Sequence, residues 1–391
     1  MRLPFLKGSY SALDCLFLTV WVRFTLLDYV RVVVMHLPVI NSLSDFVIPI
    51  VMVIMILLSL KLFIKRLSVS DIFFSLVVIC LYLMTYVFYP ENTTFLDETS
   101  FSFLICSLPY YFVGRIIDYE KVAKPLYVLS VISIICMTLF YFAKISDGEA
   151  LEEGSGMNSA FRMLPFIMIV FCHAFKYKDI ISILLGLFSV FVLLSFGNRG
   201  SVLYLFVFII VGILHSMKSN NKFLIILALS IIIGLFYIYF DFIILGLYGI
   251  MGELGFSVRI FDKIIEGEIA DSSGRDVIVN TLLTELNTRP LGLGLIGDRV
   301  VTGTYAHNFF IEVIVSFGYF IGPFICILLL IYLVKAFQKS IRTDKHLFYV
   351  ATICFGFLPL MTSSSFLTYP NFWLFLGYTI SVLTNNKLKR A

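Results

Sequence analysis

Apolar runs of membrane-crossing length recur along almost the whole chain, and only one long polar stretch, 241–307, interrupts them. A run of about 20 apolar residues crosses the hydrocarbon core of a bilayer as a helix. The runs do not alternate in period two, as the strands of a membrane barrel would, so the spanning elements are helices. Spans are expected near 12–35, 46–64, 71–89, 101–115, 125–143, 160–175, 179–196, 201–216, 223–240, 307–334, 347–366 and 371–384. Composition agrees: 60% of the residues are hydrophobic and 14% charged, against roughly half and a quarter in soluble domains. The expected fold is an all-α polytopic membrane protein, one integral domain over 1–391. It would have about 12 transmembrane helices and one long extracytoplasmic loop, 241–306, containing short helices.

Seven cysteines lie scattered in apolar stretches and none forms a CxxC pair. A disulfide framework and a zinc site therefore fall away, and the cysteines read as small apolar fillers. The first apolar stretch, 11–37, carries Arg23, Asp28 and Arg31 and lacks a small-residue cleavage site, so no cleavable signal peptide is expected. Two readings of those three charges stay open: functional groups within the membrane, or a first helix lying partly in the interface.

Basic residues in the short connections set the orientation. Lys61, Lys65 and Arg66 follow the second span; Arg115, Lys121 and Lys124 the fourth; Lys176 and Lys178 the sixth; Lys218 and Lys222 the eighth; Lys335, Lys339, Arg342 and Lys345 the tenth. The alternate connections hold Glu91, Asp97 and Glu98, and Asp147, Glu149, Glu152 and Glu153. Both termini are then cytoplasmic and 241–307 faces outward. On the outer side lysine is nearly absent, with only Lys144 and Lys263, yet Arg162, Arg199, Arg259, Arg275, Arg289 and Arg299 are there. Arginine suits forked contacts to phosphate or carboxylate oxygens. The competing reading is simple pairing with the acidic residues of the same loop.

Within the loop, Ser273-Gly274-Arg275-Asp276 has a capping-box pattern, so a helix is expected from there to about Leu286 with Arg275 in its first turn. The segment 241–256 is apolar with glycines and is expected to lie along the outer interface. Pro290, Gly292, Gly294 and Gly297 break the helix. GLGLIG at 292–297 matches a dinucleotide fingerprint formally, but no βαβ context surrounds it. It reads either as a plain turn or as a glycine-rich turn whose backbone N–H groups approach a phosphate or sugar. Among five histidines only His307 joins the arginine-bearing loop to a helix. The dipole at that helix N-terminus would keep its ring neutral. Glu312, four residues after Asn308, reads as a hydrogen-bonded partner of that asparagine or as a proton-handling carboxylate.

Asn198-Arg199-Gly200-Ser201, Ser273-Gly274-Arg275, Pro290-Leu-Gly292-Leu-Gly294 and His307-Asn308 followed by Gly318 and Gly322 occur in that order. The set, over roughly 155–335, resembles the bacterial O-antigen polymerase and O-antigen ligase superfamily, the Wzy-type polymerases and their ligase relatives. The aromatic residue that often follows the loop arginine in that family has no counterpart between Val277 and Leu283.

The resemblance implies a glycosyltransferase at the outer face of the bacterial inner membrane. It would polymerise undecaprenyl-diphosphate-linked repeat units of a surface polysaccharide such as an O-antigen or capsule. His307 and Arg275 would be catalytic. Arg199, Arg289, Arg162, Arg259, Asn308, Gly292 and Gly294 would bind the diphosphate and glycan. No metal and no cofactor is expected, since cationic side chains can hold a diphosphate leaving group. Partners would be the lipid-linked glycan, the bilayer, and a chain-length regulator and flippase of the same pathway; nucleic acid is not among them. The alternatives are a ligase moving finished chains to another acceptor, and a flippase or transporter of lipid-linked oligosaccharide. Transporters often show internal repeats with paired broken helices, and the sequence shows no such repeat.

Overall fold

The computed structural model describes residues 11–22, 67–146, 153–196, 198–216 and 274–384, with a few isolated helical positions between them. In chain order the helices are α1 (Ala12–Val22), α2 (Val69–Phe88), α3 (Thr93–Ser102), α4 (Leu108–Ile116), α5 (Tyr119–Ser146), α6 (Glu153–Tyr177), α7 (Ile180–Ser195), α8 (Arg199–Ser216), α9 (Arg275–Thr288), α10 (Gly297–Thr302), α11 (Phe309–Ser340), α12 (His346–Thr352) and α13 (Pro370–Thr384). No strand occurs among the described residues. Five helices are long and apolar enough to cross a membrane: Val69–Phe88, Tyr119–Leu139, Asn158–Tyr177, Arg199–Ser216 and Phe309–Ser340. Leu13–Val22, Ile180–Ser195 and His346–Met361 are shorter apolar helices. The expected first, second and ninth spans lie largely or wholly outside the described residues.

The helices of the fifth, sixth and tenth spans run several residues beyond the expected bounds, at Tyr119–Ser146, Glu153–Tyr177 and Phe309–Ser340, and two other spans differ in kind. The fourth, expected at 101–115, is helical from Thr93 through a π-turn at Phe103–Ser107 to Ile116. Its polar first turns, TTFLDETS, fold as helix although hydropathy does not mark them. The eleventh, expected to reach 366, ends at Met361 after a π-turn and a 3₁₀ turn begun by Leu358-Pro359. Residues 362–369 are a connection instead.

The described residues group into two compact units, 11–22 with 67–124 and 274–384, and 125–146 with 153–196 and 198–216. In the first, α4 and α13 touch through glycine. A Cβ on Gly377 would lie 2.0 Å from the Tyr111 carbonyl oxygen, and one on Gly114 2.2 Å from that of Leu374. Small residues let helix backbones approach this closely in a membrane. At one end of this pair, Arg115 Nε meets the buried Asp71 carboxylate at 2.9 Å. The same Asp71 closes a capping box with Ser68 at the start of α2. In the second unit, α6 is the central helix, with Met163, Leu164, Ile167, Met168 and Val170 buried. Gly186 of α7 and Gly212 of α8 leave room for the rings of Phe171 and Phe175. Large apolar side chains point outward along α2, α7 and α11, among them Phe73, Leu184 and Phe324. That is the surface a lipid-facing helix presents.

Candidate functional site

The described part of the polar stretch, 274–307, folds against the N-terminal half of α11. On α9, Leu282 and Leu286 are fully buried with Leu293, Ala306 and Val315. One small apolar core thus ties the helix, the glycine loop, the residue before His307 and the membrane helix together. The N-cap of α9 is Gly274, in the left-handed region at φ 79° with no side-chain cap bond. It replaces the Ser273 cap expected from the sequence; glycine is itself an accepted N-cap. Arg275 is in the first turn, as expected, and half-buried.

The glycine loop has a structural task. α11 is broken at Gly318, whose φ of 79° and ψ of 176° are non-helical. Interrupted backbone inside a membrane needs partners from the protein. The loop provides them: Leu293 N–H donates to Val315 O at 2.8 Å, Gly294 N–H to Ser316 O at 3.2 Å, and Tyr319 N–H to Pro290 O at 3.0 Å. The approach is close enough that a Cβ on Gly292 would meet Ser316 O at 2.6 Å, and one on Gly318 would meet the Leu291 carbonyl carbon at 2.4 Å. Asn92 pins the loop from its other side, donating to Leu293 O and Leu295 O at 2.7 and 3.0 Å. Leu295 N–H reaches Thr85 Oγ1, and the Gly292 and Gly297 N–H groups bond within the loop. The N–H groups of residues 292–295 and of Gly297, on which the phosphate-cradle reading draws, are engaged within the protein, and Gly292 and Gly294 have packing tasks.

Past α10 the chain doubles back. The buried Asp298 carboxylate accepts from Arg299 N–H and from Ala306 N–H, both at 3.0 Å. This brings Arg299 beside the segment that carries Tyr305 and His307. Burial raises the Asp298 pKa, and the Arg299 charge and backbone donors oppose the rise. The Tyr305 and His307 rings lie 4.0 Å apart, centroid to centroid. Tyr305 donates its hydroxyl to Ser363 O at 2.8 Å. His307 has φ 54°, rare for a non-glycine residue, and such backbone clusters at functional sites. Its ring bonds the backbone of Thr362, while Nδ1 is buried with no hydrogen-bond partner. This arrangement favours the tautomer with the proton on Nε2 and the lone pair on Nδ1. Burial, and then the Arg275 charge, hold the His307 pKa below its usual value, against the Thr362 contact. The neutrality expected from the helix dipole thus has burial as its largest cause.

Asn308 is the N-cap of α11, accepting from the Phe310 and Ile311 N–H groups at 3.0 and 3.3 Å. Glu312, 3% exposed, does not pair with the Asn308 side chain as the sequence reading had it. It accepts from Ser365 Oγ and, at 3.2 Å, from Phe366 N–H. Asp298 and Glu312 therefore fasten the two connections, 298–306 and 362–369, that meet at His307.

Arg289 is half-exposed and paired with Glu91 at 2.6 Å and Glu285 at 3.4 Å. Arg162, exposed on α6, and Arg199, the half-buried first residue of α8, belong to the second unit. Asn198 caps that helix, accepting from Ser201 N–H at 3.2 Å. Arg259, most of the segment 241–256, and Arg23, Asp28 and Arg31 lie outside the described residues. Among the predicted residues, Arg275, His307 and Asn308 come together. Tyr305, Asp298 and the 362–366 backbone join them without having been singled out from the sequence. No family model, curated protein or solved structure matches this chain.

Proposed function

We propose that the protein is a membrane glycosyltransferase of the O-antigen polymerase type. It would extend undecaprenyl-diphosphate-linked repeat units of a surface polysaccharide at the outer face of the bacterial inner membrane. The observation that carries the reading is the His307 ring: one nitrogen is held by Thr362, the other is unpartnered, and a cation stands nearby. A neutral imidazole with a fixed tautomer is suited to general-base work. In the proposed step a hydroxyl of the acceptor sugar attacks the anomeric carbon of the donor. Its proton passes to His307 Nδ1. The anomeric C–O bond breaks, and its electron pair leaves with undecaprenyl diphosphate. Arg275 takes up the charge that grows on the leaving group, as preorganised donors do where charge develops.

One observation favours a second reading. A broken helix at membrane depth is a device of transporters, and α11 is broken at Gly318. Here, however, the chain's own loop fills the break, so the freed groups line no path. Purified protein incubated with lipid-diphosphate repeat units separates the readings. Longer lipid-linked chains mean polymerase, transfer only to a different acceptor means ligase, and movement across liposomes without covalent change means flippase.

A further inference from the structure

The proposed step uses one buried polar atom that lacks a hydrogen-bond partner, His307 Nδ1. The hydroxyl oxygen of Tyr82 is another. Buried polar groups are nearly always bonded, and one that is not calls for an explanation. Phenylalanine would fill the same place without burying an oxygen, so the hydroxyl carries a cost that packing alone does not offset.

Two routes of contact lead from Tyr82 to the His307 site. Tyr82 stands one helical turn after the buried Val78 and one before the buried Thr85, hence on the face of α2 turned to the protein. Thr85 receives Leu295 N–H from the glycine loop at 3.3 Å. The Tyr82 ring packs on Phe103, centroids 5.2 Å apart, and Phe103 on Trp373 at 5.0 Å. Trp373 Nε1 donates to Phe366 O at 2.7 Å. That row ends on the 362–369 connection, whose Thr362 backbone holds the His307 ring. The second route runs through charge. Arg299 acts on the Tyr82 hydroxyl, and Arg299 N–H shares the Asp298 carboxylate with the N–H of Ala306, the residue before His307. The two routes follow different connections and meet at one residue.

Electrostatics decide what kind of ligand suits the Tyr82 side. The Arg299 charge is met by those of Asp298 and Glu312, one guanidinium against two carboxyl groups. An anion therefore gains little beside Tyr82. A neutral hydroxyl gains more, because a phenol both donates and accepts. The cation that acts on the His307 ring is Arg275, so the leaving group and the Tyr82 hydroxyl belong to different sides of the site.

We propose that Tyr82 is a sugar-binding residue of the His307 site, its hydroxyl bonding a hydroxyl of the acceptor sugar whose attacking group faces His307. It positions the acceptor and takes no part in proton transfer. The assignment rests on the glycosyl-transfer reading for the identity of the ligand.

The test is binding of one repeat unit, as the free oligosaccharide cleaved by mild acid from the host's own lipid-linked intermediate, to the full chain in nanodiscs. This probe carries neither lipid nor phosphate, so it reports on sugar contacts alone. Tyr82→Phe should weaken binding by about tenfold, the worth of one hydrogen bond. Without ligand, the thermal midpoint of Tyr82→Phe should equal or exceed that of the wild type, since no bond within the protein is lost. A hydroxyl satisfied by the protein itself or by water would instead lower that midpoint on removal and leave oligosaccharide affinity unchanged. Either of those results overturns the proposal, as does a wild type that does not bind the oligosaccharide. In chain extension, Tyr82→Phe should raise KM for the repeat unit and leave the acid midpoint of kcat/KM in place; a shifted midpoint would mean that Tyr82 acts on the base and would overturn the acceptor role. Unchanged affinity in Tyr82→Phe beside normal extension by the wild type would sink this proposal and spare glycosyl transfer. Tyr82-dependent binding by a wild-type chain that extends nothing would sink the polymerase reading and keep Tyr82 as a glycan contact.

Discussion

A histidine whose surroundings take one ring nitrogen and leave the other alone is prepared to exchange a proton at the second atom. That makes His307→Gln the informative substitution, because glutamine keeps hydrogen bonding but cannot serve as the base. Chain extension should fall by about 10²–10⁴-fold; a rate near wild type would end the general-base role. Burial and Arg275 hold the His307 pKa below its ordinary value, so the neutral form persists further into acid. The acid limb of kcat/KM should therefore have its midpoint below about 6.5. Arg275→Gln removes a neighbouring positive charge, so it should move that midpoint upward even as it slows the reaction. A midpoint that stays put would show that Arg275 does not act on the ring. Asn308→Ala should cost about 0.5–2 kcal/mol as a lost N-cap, and Asn308→Ser should restore stability and activity together. Low activity in a stable Asn308→Ser would make the asparagine a substrate contact. His307 and Arg275 were legible in the sequence because each stands at the junction of the polar stretch with a helix. Of the partners of Arg289, Glu285 is an acidic residue of the same loop, which the sequence reading allowed for, but Glu91 was hidden, being 198 residues away in the chain. The cluster around Asp298 and Glu312 was equally hidden, because a carboxylate fastened by backbone N–H groups has no sequence pattern.

At the level of elements, hydropathy located most of the described helices to within a few residues, since burying apolar runs in lipid leaves little else to decide. It could not show the break in α11, because glycine in a membrane helix is also a packing residue. Nor could it show that residues 290–294 supply the hydrogen bonds of that break. In GLGLIG, Gly292 is explained by close backbone contact with 316–318, and Gly294 and Gly297 by the side chains of Tyr89 and Leu293 packed against them. Gly318→Ala combines a positive φ with a Cβ placed against Leu291 and Pro290. It should cost about 1–3 kcal/mol, read as a lower thermal midpoint of the detergent-solubilised protein. A Gly318→Ala variant as stable as wild type would mean that α11 can straighten and that the loop is not built into it.

For the whole molecule, the sequence conveys the class of fold more firmly than the number of spans. Five helices qualify by length and apolarity among the described residues, against the dozen expected for the full chain. The orientation drawn from lysine placement makes a direct prediction on α11. Its 32 residues run from the His307 site to the basic turn containing Arg342. In a cysteine-free background, Gly303→Cys should react with a membrane-impermeant maleimide applied from outside, and Arg342→Cys should not; the reverse pattern would put the site in the cytoplasm. The central claim is that the His307 site joins lipid-linked glycans, and it is tested most directly by product. Purified wild-type chain given undecaprenyl-diphosphate-linked repeat units should yield a ladder of longer lipid-linked chains, with free undecaprenyl diphosphate released for each bond made. His307→Gln, folded and inserted, should yield none above background. A wild-type protein that leaves the repeat units unextended, or a His307→Gln protein that extends them at the normal rate, would contradict the account.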